Sequence, residues 1–511
     1  MTKHAAPKET APSESVGKGI QQPAVADVDE SSTKKPKNKK KRKRVAAIPK
    51  PGEEGYLTPT QLRNARKRRN KKPAAAASTA APEKDPSSIY LANPKSAPIC
   101  QTAITYFRSL GLANFGLHVG PTKGWRTVSK LAVRGDLSIG LFAPNSHRIV
   151  AVPDCTAHHP SINAAVETVE RSCRLVGVKA FDETTGQGHV RYVAMNVERS
   201  TGKIQLTIVW NSEVYPEGSG SGGGSRSGDD TNGKVLLDKL LKVLSPSSAK
   251  VRRRGTNKSP TEPPSPSKAE FHSLWVHFNS TWKHSNAIFS IDSGPESWKH
   301  VFGPNDITEH LSLPGQPKPI PLHFPPNVFR QANLDSFTNI VAKIRSKLTT
   351  YNQAKGSKSS CVELYGGVGT IGLNIADLVS SLTSSDENPF NKACFEKSAV
   401  DAGLTNVKYA AKNATDMVQQ QRGSFGKAAI VVVDPPRKGF EEPVLAALCT
   451  SCQATMLVYV SCGFEAFQRD CAALLVSGKW KLEFAEGHLL FPGSDAIETL
   501  AFFVSKNTPK A

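Results

Sequence analysis

The sequence predicts an α/β protein: a doubly wound sheet domain in its C-terminal part, a smaller α+β domain before it, and a disordered basic N-terminal tail. Three observations carry this. From about Gln316 onward, short apolar β-branched runs alternate with helical segments, the pattern of a sheet layered between helices. One run, Cys361 to Tyr365, leads directly into a glycine-rich turn. The first 85 residues hold 21 Lys and Arg against 9 Asp and Glu, with no apolar periodicity from which to build a core.

The tail therefore carries +12 of the net +22, and the remaining +10 lies on the rest of the chain. A basic folded part as well as a basic arm favours a polyanionic partner. Lys34 to Arg44 and Arg63 to Lys72 are the two charge blocks. They read as a nuclear or nucleolar signal, or as an arm adding non-specific phosphate affinity. A plastid or mitochondrial transit peptide is the rival, which the acidic residues of the arm argue against. No apolar run is long enough to cross a bilayer, so no membrane association is expected. No obligate protein partner is evident. Nine cysteines without a compact framework suggest a reducing compartment. Cys449 and Cys452 form one CxxC with no second pair or histidine cluster, so no metal is expected.

The small domain is read over 86–315. Thr127 to Val133 and Lys203 to Trp210 alternate as strands. Ile162 to Val176 has helical spacing through Ala165, Val166, Val169 and Cys173. Residues 216–268 are dominated by Gly, Ser, Pro and basic residues around a short amphipathic helix, Val235 to Leu244. They read as a flexible insertion. Strand-like sequence resumes at Leu274, and the second domain is read over 316–511.

In that domain Cys361–Tyr365 is a strand, Gly366-Gly367-Val368-Gly369 a turn, and Thr370 to about Ser380 a helix. Glycines there let backbone approach a ligand at the carboxyl edge of the sheet. The turn is not GxGxxG, which favours S-adenosylmethionine over NAD. Glu387 follows about twenty residues later, where a carboxylate accepts hydrogen bonds from ribose hydroxyls; a surface loop acid is the other reading. Ala428 to Val433 is an apolar buried strand ending in Asp434-Pro435-Pro436-Arg437-Lys438-Gly439, a stiff turn that holds a carboxylate at the ligand-binding edge.

Met456 to Val460 is a further buried strand, delivering Ser461-Cys462-Gly463 to the same edge ahead of a helix. A cysteine at a helix start is expected to have a lowered thiol pKa and nucleophilic character; an inert core cysteine is the alternative. Glu498 opens the last apolar strand and is the candidate base, with a solvated loop acid as its other reading.

Phe329-Arg330-Gln331-Ala332-Asn333, Glu363 to Gly369, Asp434 to Gly439, Ser461-Cys462-Gly463 and Glu498 occur in the order seen in one family. The series resembles the RNA 5-methyluridine methyltransferases, which include the bacterial tRNA uridine-54 and 23S rRNA uridine methylases. The match covers 316–511 and extends more loosely through Trp125–Gly135 and Val152–Val169; the wording around Cys462 and Glu498 looks most like a plant and algal branch. The resemblance implies a Rossmann-like class I methyltransferase domain with a mixed seven-stranded sheet, acting on C5 of uridine in tRNA or rRNA. It implies S-adenosylmethionine held by Gln331, Tyr365, Gly366, Gly367, Gly369, Glu387 and Asp434. Cys462 would attack C6 and Glu498 would take the C5 proton. Phe329, Pro435 and Arg437 would meet the RNA, as would Arg126, Lys130 and Arg134 of the small domain, although a solvated strand face also explains those three. Methylation of another position such as cytosine C5, or a catalytically inactive RNA-folding scaffold, are the alternatives. This chain has Gly366 where the family usually has Cys, and Ala496 where many members have His. Only Cys100 and Cys155 could join the iron–sulfur cluster of some members, so no cluster is expected. No TRAM-type barrel is evident before residue 100.

Overall fold

The structure is a computed structural model; it describes residues 87–143, 148–215, 230–245, 269–281, 294–420 and 423–506. The tail read over 1–85, and the flanks of the insertion at 216–229 and 246–268, lie outside the described residues.

The chain opens with helix α1 (Pro98–Ser109) and strand β1 (Gly116–Val119). Both belong with the distant C-terminal half. Cys100, Ala103 and Phe107 of α1 are buried in one core with Phe464, Phe467 and Trp480, and β1 pairs with residues 486–489. The sequence reading placed this segment in the small domain. Its partners lie more than 350 residues away, where no local pattern points to them.

The small domain follows as β2 (Val128–Arg134), β3 (Ser138–Phe142), β4 (Ile149–Ala151), helix α2 (Pro160–Val176), β5 (Val190–Val197) and β6 (Ile204–Trp210). Helix α3 (Asp230–Leu244), β7 (Phe271–Phe278) and β8 (Trp298–Phe302) complete it. They form one sheet in the order β4-β3-β2-β5-β6-β7-β8. Helix α2 starts on Pro160 with His159 as cap and ends on the left-handed Gly177, the usual proline-in, glycine-out punctuation. Its face of Ile162, Ala165, Val166, Val169 and Cys173 covers the sheet, and Leu237, Leu240, Leu241 and Leu244 of α3 lie in the same core. The helix of the insertion is thus structural: it is the crossover that lets β6 and β7 pair in parallel.

Strands β9 (Ile307–Glu309) and β10 (Leu322–Phe324) form an antiparallel pair, so the 315/316 boundary falls inside a hairpin. Helix α4 (Leu334–Lys355) comes next, capped by Asn333, whose side chain accepts the Ser336 N–H. It buries Leu334, Phe337, Ile340, Val341, Ile344 and Leu348, each worth roughly 1.5–3 kcal/mol of burial. Then come β11 (Ser360–Leu364), β12 (Ser381–Asp386), α5 (Asn391–Asp401), β13 (Val407–Ala411), α6 (Ala414–Gln419), α7 (Ser424–Lys427) and β14 (Ile430–Val433). Helix α8 (Glu442–Cys449), β15 (Met456–Ser461), α9 (Phe464–Val476), β16 (Trp480–Leu489) and β17 (Glu498–Ser505) end the described chain. The large sheet has the order β1-β16-β17-β15-β14-β11-β12-β13. Neighbours are parallel except at β17. The seven expected strands are present, and β1 adds an eighth.

One expected element is replaced. The helix read over 370–380 is a short 3-10 turn, Leu373–Leu378. Buried Glu363 accepts the Gly372 N–H at 2.8 Å, and a Cβ at Gly372 would stand 2.2 Å from that carboxylate. The Gly372 N–H is thus held by a buried side chain of β11 at the point where the expected helix would begin.

Candidate active site

The carboxyl ends of β11, β12, β14 and β15, with the amino end of antiparallel β17, gather the predicted site residues of this domain along one edge. After β11 the chain turns sharply, with Tyr365, Gly367 and Gly369 at φ of 59°, 55° and 88°, values that favour glycine. Gly367 would place a Cβ in open space, so the turn is accessible from that side. Gly366 is tightly enclosed here: a Cβ would meet Ser384 Oγ at 2.2 Å and Glu363 Oε2 at 2.6 Å. Ser384 and Glu363 occupy the room that a side chain would need.

The acid facing this turn is Asp386, the last residue of β12. It accepts the Gly367 N–H at 3.1 Å, the Asn388 N–H at 2.9 Å and the Asn391 amide at 3.0 Å. Glu387, the residue the sequence reading chose, is exposed beside it. The strand runs one residue further than its weak pattern suggests, and period-two alternation turns that shift into the opposite direction. Asn388 also donates to the Asn327 carbonyl at 3.1 Å, tying this turn to the loop that carries Phe329 and Gln331. Gln331 is half-buried there, and Phe329 is 68% exposed.

Glu363 and Asp434 are both pushed up to about 7, chiefly by burial; Glu363's charge adds to the effect on Asp434. The turn after Asp434 is clamped by Asp470 of α9, whose Oδ2 accepts from the Phe440 N–H at 3.0 Å and the Tyr459 hydroxyl at 2.8 Å. Pro435 is buried within the turn, and Arg437 and Lys438 are exposed on it. Tyr365 donates to Glu441, which pairs with Lys438 at 2.9 Å, so the glycine turn and the DPPRKG turn are joined.

Ser461 of β15 pairs with Thr499 of β17. Cys462 and Glu498 are the next residues beyond that last pair, and the Glu498 charge reaches the thiol. Gly463 lies against the DPPRKG turn so closely that a Cβ would be 2.2 Å from the Arg437 carbonyl oxygen. This contact brings Cys462 to Asp434 and Arg437. The thiol is not lowered as its helix-start position suggested. Burial, reinforced by the charges of Glu498 and Asp434, pushes it up to about 12, with Arg437 opposing. Glycine at the cap of α9 does place the helix pole nearby, but desolvation and two carboxylates outweigh it. Glu498 is 5% exposed. Burial first, then Asp434's charge, holds its carboxyl well above the ordinary range. Its Oε1 has no hydrogen-bond partner among the described residues.

The small-domain basic residues divide. Lys130 reaches solvent from β2, yet the domain packed around it desolvates the ammonium and pulls it down to about 8. Half-buried Arg126 lies over the rings of Trp125 and Phe491, 5.2 and 5.5 Å from their centroids. Arg134, expected to meet RNA, is engaged internally: it donates to the Val133 and Arg191 carbonyls, to Tyr192 and to Glu183. Its two terminal nitrogens are committed to contacts within the small domain. Asp386, Glu363, Glu441 and the buried Arg330 were not singled out from sequence. Only Arg330 and Glu363 carried a signal, as members of the motif series.

No family model matches the chain. It is 32% identical over 414 residues to an uncharacterised RNA methyltransferase of Protochlamydia amoebophila, covering 80% of this chain and 92% of that relative. An uncharacterised RNA methyltransferase of Bacillus cereus is 24% identical over 390 residues, covering 75% and 71%. Among solved structures, the tRNA (uracil-54, C5)-methyltransferase of Pyrococcus abyssi, in complex with S-adenosyl-L-homocysteine, superposes with a TM-score of 0.55. It covers 78% of this chain and 81% of that one at 19% identity, which shows a shared fold. With this edge geometry and a relative of that identity and coverage, the chain belongs to the RNA methyltransferase family.

Proposed function

We propose that the protein transfers a methyl group from S-adenosylmethionine to C5 of a uridine in tRNA or rRNA. The observation that carries this is the nearness of Cys462 and Glu498, at the adjoining ends of β15 and β17 and beside Asp434, on the edge that holds the glycine turn. The residues fit the cofactor: an open glycine turn with positive φ, a carboxylate at the end of the adjacent strand, and half-buried Gln331 on a loop tied to that strand. Gly366, Gly367, Gly369, Asp386, Gln331 and Asp434 would hold it, and when bound it supplies the electrophilic methyl group.

The work of this chain is then on the base. C5 of uracil is a weak carbon nucleophile, and addition of a thiolate at C6 gives it enolate character. With its thiol pushed up to about 12, Cys462 needs a nearby base to lose its proton. Asp434, kept basic at about 7, and Glu498 are the two carboxylates whose charges reach the thiol. Once C5 carries the methyl group, Glu498 removes the C5 proton, the C5–C6 double bond re-forms and the cysteine leaves. The buried, unpartnered Oε1 of Glu498 suits that step, because a carboxylate without hydrogen-bond donors is a stronger base. Exposed Phe329 offers a ring for stacking, and Arg437 and Lys130 offer charge for phosphates.

The test is nucleoside mass spectrometry of separated tRNA and rRNA after incubation with the protein and labelled S-adenosylmethionine. Labelled 5-methyluridine in either fraction is the expected result. Label in 5-methylcytidine would move the activity to another base, and no label in any RNA would leave an RNA-binding scaffold.

A further inference from the structure

A second group of ligand-type side chains lies on β1 and β16, the two strands beyond β17 in the same sheet. His118 of β1 and His488 of β16 are register partners on adjacent parallel strands, with rings stacked at 4.8 Å between centroids. Glu486, two residues before His488, projects from the same face because strand side chains alternate. Both imidazoles turn Nε2 toward its carboxylate: His118 lies 3.1 Å from Oε2 and His488 lies 3.1 Å from Oε1. One ligating atom from each of the three lies within 4.8 Å of the others. The side chains of Glu486 and His488 are buried, whereas that of His118 is 54% exposed. The trio borders a cavity of about 640 Å³ to which Asn339, Lys343 and Ser346 of α4 contribute.

We propose that His118, Glu486 and His488 bind a divalent transition-metal ion of the zinc type. Two imidazoles and one carboxylate are a donor set that zinc uses when a fourth position is left for water or a small ligand. Imidazole favours zinc, copper and nickel over magnesium or calcium. A tetrahedral ion with bonds of about 2.0–2.1 Å needs neighbouring ligand atoms about 3.3 Å apart, close to the 3.1 Å separations found here. The three ligating atoms lie only within 4.8 Å of one another, so the set must draw together at its widest separation, a swing that the exposed His118 ring allows, and the cavity receives the open position. Lys343 Nζ, 4.0 Å from Glu486 Oε2, is the local competitor for that carboxylate; its side chain is 43% exposed and can turn to solvent. The ion would clamp β1, an edge strand held by four register pairs, onto β16. His488 is also the register partner of Glu498, so the ion would sit one strand from that residue. The inference does not depend on the methylation chemistry.

The experiment is a cobalt titration of the full-length protein after chelator treatment and dialysis, followed by zinc. One equivalent of Co²⁺ should bind, with the visible bands of a four-coordinate nitrogen and oxygen site. Zn²⁺ should displace it and raise the melting temperature. His118→Ala alters an exposed side chain on an edge strand, and its fold is checked by melting in chelator. Loss of a direct ligand should weaken Co²⁺ binding at least about tenfold, since even outer-shell partners cost that much. Unchanged affinity and spectrum in His118→Ala would overturn the proposal. So would a thiolate-to-cobalt charge-transfer band as the only signal, or no cobalt retained by the wild type.

Discussion

Buried charge is handled in opposite ways at two places in this protein. Where the small sheet meets the large domain, Arg330 is 4% exposed and donates to Glu309, to the Val197 carbonyl and to Thr127. Arg199 closes the group, donating to Glu309, Asp335 and the His310 carbonyl. Burial lowers the Arg330 guanidinium only to about 10, so Arg330 keeps its charge against Glu309. At the carboxyl edge of the large sheet, burial raises Glu363, Asp434 and Glu498, and a neighbouring acid adds to each shift: Asp386 at Glu363, Glu363 at Asp434 and Asp434 at Glu498, with Arg437 alone opposing at Glu498. The junction uses charge for architecture; the edge keeps charge unbalanced, which is how proton-transferring groups acquire pKa values near neutrality.

The comparison breaks most sharply at the proposed nucleophile. Cys462→Ala should lower methylation by at least about a thousandfold, some 4 kcal/mol of barrier, while S-adenosylmethionine binding measured by calorimetry persists. Retained turnover would remove Cys462 from the chemistry. Glu498→Gln comes next, with an expected loss of about 10²–10⁴-fold and a covalent RNA adduct seen as a shifted band on a denaturing gel. A slow variant without the adduct would assign the proton to another group.

At the junction the effect should fall on stability. Arg330→Met leaves Glu309 buried without that partner and should cost about 3–5 kcal/mol in denaturant unfolding. If it cost nothing, pairing would not be what holds the junction. Asp434→Asn should do the reverse. The Asp434 carboxyl is raised from 3.8 to about 7 in the folded protein. Its contribution to stability is therefore present below about pH 4 and lost as pH rises through about 7. The asparagine variant should melt above wild type near pH 8, match it near pH 4, and lose activity. The wild-type rate should rise with pH through about 7. An unchanged melting profile would mean that solvent already relieves the charge.

The smallest expected difference separates two basic residues of β2. Lys130→Ala should leave melting unchanged and weaken RNA binding a few-fold, lowering the salt slope by about one. Arg134→Ala should destabilise the small domain, because its hydrogen bonds to Tyr192 and two carbonyls are lost. A weaker salt slope for Arg134→Ala than for Lys130→Ala would reverse their roles.

Much of the edge was legible because it is written in local signals. Strand followed by glycines, strand followed by Asp-Pro-Pro, and strand followed by Ser-Cys-Gly each announce a carboxyl end within a few residues. The failures were those of one-residue register and of environment. Asp386 and Glu387 are both acids at the end of a polar strand, and only backbone pairing with β11 and β13 decides which one faces the glycine turn. The Cys462 thiol looked activated from its helix start, yet Glu498, 36 residues away in sequence, lies near it and raises its pKa. Arg134 and Lys130 are equivalent in a strand pattern but differ in which neighbours reach them.

The sequence by itself determined the order of the elements, the alternation that builds the large sheet, and the residue types gathered at its edge, because period and turn chemistry act over a few residues. Tertiary structure alone decided that α1 and β1 complete the C-terminal sheet, that the inserted helix is a crossover in the small core, and that His118 meets Glu486 and His488. Those contacts join residues tens to hundreds of positions apart. Their energies come from burial and charge that exist only once the chain has closed on itself.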